Sequence, residues 1–140
     1  MSGTAVTGKV VRQMKLQTQS EGCVVDDRTG LLYVTEEDVG LWRFDADPSA
    51  PKKPTELARA DGKRLVADAE GIAIMPVGAD AGYLIVSSQG DNAYAVYDLK
   101  SGRYRSRFRI GDGAIDGVQE TDGLELALGD LVLPTPAGCS

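Results

Sequence analysis

The chain has 140 residues, 42% of them hydrophobic, with no histidine and two cysteines, Cys23 and Cys139. Lacking histidine excludes Ser-His-Asp and Cys-His nucleophile pairs and histidine-ligated zinc, and two cysteines do not make a disulfide framework. Fifteen basic against 21 acidic residues leave a net charge of −6 and a sequence pI near 4.6, which disfavours nucleic acid and anionic membrane surfaces as partners.

In chain order, the first nine residues hold no apolar stretch of signal-peptide length, and no 18-residue apolar run occurs anywhere. No export signal or membrane span is therefore expected in the residues as written. Residues 8–16 alternate roughly between apolar and polar and are predicted to form an outer strand. Glu21-Gly22-Cys23-Val24 then opens an apolar strand in which Cys23 reads as a small buried hydrophobe. A turn over residues 26–30, a second strand to Glu37, an aromatic strand at Trp42-Arg43-Phe44 and an outer strand complete a unit from 21 to about 60. A second unit runs from Glu70-Gly71-Ile72-Ala73 through a turn between Pro76 and Gly82, a strand to Gln89 and the aromatic Tyr94-Ala95-Val96-Tyr97 to about 110. Its outer strand carries Arg103, Arg105, Arg107 and Arg109, whose alternation predicts one solvated face, with anion binding as the other reading. Asp122-Gly123-Leu124-Glu125 begins a further unit. No segment has the length and 3.6-residue period of a helix.

The acid-Gly pairs at 21, 70 and 122 are spaced by 49 and 52 residues, the size of a four-stranded propeller blade. The expected fold is all-β, a partial β-propeller of about two and a half blades. A closed propeller needs roughly four to eight, so residues 1–140 read as part of a larger propeller, or as a piece whose open blade edges allow self-association.

The repeat places one carboxylate per blade at equivalent positions, and Glu37 aligns with Gln89 in the same way. Carboxylates, amide oxygens and carbonyls suit calcium better than zinc or copper, which makes Glu21, Glu37, Asp68, Glu70, Gln89, Asp116 and Asp122 candidate metal ligands. Plain turn chemistry competes with that reading, because Asp and Gly favour turns and further pairs beginning at Asp61, Asp112 and Asp116 fall outside the even spacing. The run Glu36-Glu37-Asp38 has to be solvated or bound to a cation, since three adjacent acids repel.

Residues 20–27, 32–38, 68–71, 82–90 and 115–123 closely resemble stretches of the calcium-dependent beta-propeller phytases, in the same order; the likeness covers roughly residues 8 to 126. The resemblance implies a six-bladed propeller that removes phosphates from myo-inositol hexakisphosphate (phytate) with calcium at one end of its channel. By matching motif, Glu21, Glu37, Glu70 and Gln89 resemble residues around the catalytic calcium ions, with Asp68 nearby. Asp116 resembles a ligand of a tighter, stabilising site, with Asp122 beside it. Glu37 and Glu70 are the implied catalytic groups, and the family suggests a secreted or periplasmic protein. The family's phosphate-clamping residues lie largely upstream of the matching region, and the tail after Glu125 departs from the family pattern. The alternative function is a non-catalytic calcium-binding propeller segment acting as a binding or structural module.

Overall fold

The computed structural model describes residues 5–129. Eight strands form two four-stranded antiparallel sheets, each in simple sequence order. The first holds β1 (Ser20–Asp26), β2 (Leu31–Glu36), β3 (Gly40–Asp45) and β4 (Thr55–Arg59); the second holds β5 (Ala69–Val77), β6 (Ala81–Ser88), β7 (Ala93–Asp98) and β8 (Tyr104–Phe108). Short connections dictate this meander, because hairpins join neighbouring antiparallel strands without a crossover. The turn between β1 and β2 is closed by the Asp26 carbonyl, which accepts from the N–H groups of Thr29 and Gly30. The helical content among the described residues is a single 3-10 turn at Gln89–Asp91, and no helix there is long and apolar enough to cross a membrane.

The sheets pack face to face over Tyr33, Leu41, Leu65, Ile72, Leu84, Val86, Tyr97 and Leu99. The Tyr33 hydroxyl crosses from the first sheet to the Leu99 carbonyl, 3.4 Å away, so even the large aromatic keeps a partner for its polar end. Leu84 is fully buried at the centre of β6. Leu84→Ala is expected to cost about 3 kcal/mol through lost burial and the cavity left behind; urea unfolding of the variant checks this.

Four sequence expectations change. Residues 8–16 form no strand; the segment is irregular and mostly exposed. It is tied down instead by Arg12, whose guanidinium donates to the carbonyls of Asp45, Asp47 and Pro51. Cys23 is exposed, because β1 turns Val24 toward the core and leaves Cys23 and Val25 outward; Cys139 lies outside the described residues. The third unit, from Asp122, shows no strand through residue 129. The arginines of β8 do not share one face: Val96 opposes Ser106 while Tyr97 opposes Tyr104, so Arg105 is the extra residue of a β-bulge and the alternation breaks there.

Candidate metal centre

Both repeated acids of the inner strands sit at bulges. Ser20 opposes Glu36 and Gly22 opposes Thr35, leaving Glu21 as the extra residue of β1. In β5, Ala69 opposes Ser88 and Ile72 opposes Val86, so Glu70 and Gly71 together face one residue. A bulge re-aims the side chain it carries. Because β1 and β5 begin where β2 and β6 end, the two bulges lie at the same end of the sheets as Glu37 and Gln89.

The glycines after these acids are not turn residues; they lie within strands and allow one unit to cross closely over the next. A Cβ on Gly22 would stand 2.8 Å from the Glu70 carbonyl oxygen, and one on Gly71 would stand 2.5 Å from the Asp122 carbonyl oxygen. The Gly71 N–H donates to the Asp122 carbonyl at 2.7 Å. Equivalent hydroxyls make the same crossing: Thr35 donates to the Glu70 carbonyl and Ser87 to the Thr121 carbonyl. Asp122 therefore stands against the second sheet as Glu70 stands against the first. Gly71→Ala must displace backbone, and is expected to destabilise by about 2 kcal/mol, readable as a lower Tm.

The loops before each inner strand repeat as well. The Glu37 N–H donates to the Gln19 carbonyl and the Gln89 N–H to the Asp68 carbonyl, both at 3.0 Å. Behind them, the Ser88 hydroxyl accepts from the Val66 N–H at 2.9 Å and donates to Asp91 at 2.8 Å, fixing the loop that carries Asp68.

Electrostatics show which acids share space. Burial first, then the charges of Asp38, Asp68 and Glu21, push the Glu37 carboxyl above the usual glutamate range. Burial likewise raises Glu70, followed by the charges of Glu21, Asp122 and Asp68 and a hydrogen bond with Glu21. Five sequence candidates, Glu21, Glu37, Asp68, Glu70 and Asp122, thus act on one another. Gln89 joins them through its amide, which donates to Asp122, and Gln19, which the sequence reading passed over, donates to Glu21. Its signal was available: residue 19 stands before Glu21 as Asp68 stands before Glu70.

Asp116 is not brought into this group. It is exposed on the loop after β8, where Asp112 accepts the Gly117 N–H, and its charge does not bear on Glu37 or Glu70. Glu36 also stands apart. It is fully buried, unlike its neighbours Glu37 and Asp38, with its carboxylate turned to the chain entering β1 and to the Trp42 indole.

Among the described residues, no three acidic side chains are already closed around a point that could hold a metal ion. The amides of Gln19 and Gln89 donate to Glu21 and Asp122 and take up part of the negative charge. The donor set, oxygen-rich and strained by like charge, fits a hard divalent cation.

Two four-stranded, propeller-type sheets with acidic residues at one end define the class: an all-β propeller-type segment. The chain belongs to the phytase family, whose model, described as Phytase, matches residues 2–138. It is similar to a 3-phytase from Bacillus subtilis (strain 168), 46% identical over 123 residues, a match covering 86% of this chain and 32% of that relative. The chain thus spans about a third of the length of the curated relative it matches.

Proposed function

We propose that this chain contributes the calcium-binding end of a phytase that hydrolyses phosphomonoesters of myo-inositol hexakisphosphate. The observation that carries the reading is the position of Glu21, Glu37, Asp68, Glu70 and Asp122 at one end of the sheets, where burial first and then the neighbouring charges raise the carboxyls of Glu37 and Glu70. Membership of the phytase family and similarity to a 3-phytase support the substrate class. Without a counterion this acidic end would repel a substrate rich in phosphate.

Glu21, Glu37, Asp68, Glu70, Asp122 and the side-chain oxygen of Gln89 would hold calcium here, while Asp116 would serve a separate, stabilising ion on its own loop. Bound calcium supplies the positive charge that reverses the local sign, polarises a phosphoryl group and acidifies a coordinated water. Glu37 and Glu70, partly buried and next to further acids, would orient the attacking water and take its proton. The bulges at Glu21 and Glu70 fix the direction of those carboxylates from the rigid inner strands rather than from loops.

The test is phosphate release from phytate by the purified chain, with calcium and with excess chelator. Calcium-dependent release is the expected result. A calcium-induced rise in Tm without any release would sink the catalytic reading and favour a calcium-binding segment that works as a binding module.

A further inference from the structure

We propose that the cleft between the outer strands β4 and β8 is a second binding site, one that takes a phosphate group without calcium. The cleft has a volume of about 540 Å³ and lies where the edges of the two sheets meet, lined by residues of both. Its two acids are already engaged. Glu56 receives a two-pronged pair from Arg59, both bonds 2.8 Å, and Asp61 accepts the backbone N–H groups of Lys63 and Arg64 at 2.9 and 2.7 Å.

Its cations are not matched in the same way. Among the described residues, the guanidinium groups of Arg64 and Arg103 have no carboxylate partner, unlike those of Arg105, Arg107 and Arg109 farther along the outer strand. Arg64 lies over the Tyr104 ring, 5.6 Å from its centroid, which holds it at the cleft wall. The Tyr97 residue is 2% exposed and its hydroxyl has no hydrogen-bond partner. A buried hydroxyl without a partner is costly, and Tyr97 is one of the residues that line the same cleft. Burial, then the Asp61 charge, push the Tyr97 phenol up to about 12, so it remains a donor at neutral pH.

Two free guanidinium groups and one unused O–H donor call for a ligand that is anionic and presents several acceptor oxygens. A phosphate dianion meets both conditions, since its oxygens accept from planar guanidinium groups and from the phenol together.

The experiment is titration calorimetry of the chain with inorganic phosphate in excess chelator, which separates this cleft from the carboxylate end. Saturable binding is expected, weakened at least about tenfold in the R64Q/R103Q double variant and roughly threefold to tenfold in Tyr97→Phe. Glu70→Gln should leave it unchanged. No saturable binding, equal binding in the double variant, or loss of binding in Glu70→Gln overturns the proposal. None of these outcomes depends on whether the chain hydrolyses phytate.

Discussion

Glu70→Gln is expected to lower calcium-dependent phosphate release from phytate by about 10²–10⁴-fold, the usual contribution of a positioned acid–base group, while Tm in chelator stays at or above that of the parent chain. The two halves of this prediction have one cause. Glu70 sits at the β5 bulge, where burial and the charges of Glu21, Asp122 and Asp68 raise its carboxyl. For an acid held above its unfolded pKa, the charged form is disfavoured in the folded state, so the group opposes folding at neutral pH and that opposition fades as pH falls through the raised value. Replacing the carboxylate by an amide removes this repulsion from the metal-free chain. It also removes a charge that calcium needs and the base that would accept a proton. The calcium-induced rise in Tm should therefore shrink as turnover falls. Retained turnover would remove Glu70 from the mechanism, and a Tm in chelator well below the parent's would mean that the side chain supports the fold instead.

The sheets were legible in the sequence because their signals are local. Period-two alternation, glycine-bearing turns and the acid-Gly repeat marked β1–β3 and β5–β7 and aligned Thr35 with Ser87. Long-range pairing was not legible. Residues 8–16 alternate like a strand, yet a strand needs a ladder partner, and Arg12 instead attaches the segment to carbonyls at the end of β3 and in the loop after it, more than thirty residues away. The arginine stripe failed for a related reason: the bulge at Arg105 depends on β7, not on the residues of β8 alone.

For the site, the repeat found Glu21, Glu70 and Asp122, whose acid-Gly pairs mark where one unit crosses another. It could not show that Asp116 stays apart, since loop 110–118 closes on itself through the Ile110 carbonyl and the Asp112 carboxylate. It singled out Glu37, which aligns with Gln89, but could not show that Glu36 beside it is fully buried. Adjacent residues at the end of a strand face opposite ways, and what lies on each side is decided by tertiary packing.

That separation makes Glu36 the position where a one-atom change should hurt the fold most. One carboxylate oxygen accepts the backbone N–H groups of Gln17 and Thr18, each at 2.5 Å, and the Thr18 hydroxyl at 3.3 Å; the other accepts the Trp42 indole N–H at 2.6 Å. Every partner is a donor. In Glu36→Gln one of the two positions becomes an NH2 group facing a donor, whichever way the amide turns. The expected cost is about 3 kcal/mol, at the upper end for a buried group left without its partner, or roughly 10 °C in Tm. The pH dependence should change with it. Burial acts to raise the Glu36 carboxyl, but the N–H of Thr18, the Trp42 indole, the N–H of Gln17 and the Thr18 hydroxyl outweigh burial and hold it below its ordinary value of 4.5. An acid with a lowered folded-state pKa adds stability that is complete above the unfolded value and is lost as pH falls through the lowered one. The parent chain should therefore lose stability on acidification below about pH 4.5 more steeply than Glu36→Gln, whose urea midpoint starts lower and falls less. Parallel curves for the two proteins would mean that Glu36 is not ionised in the folded chain.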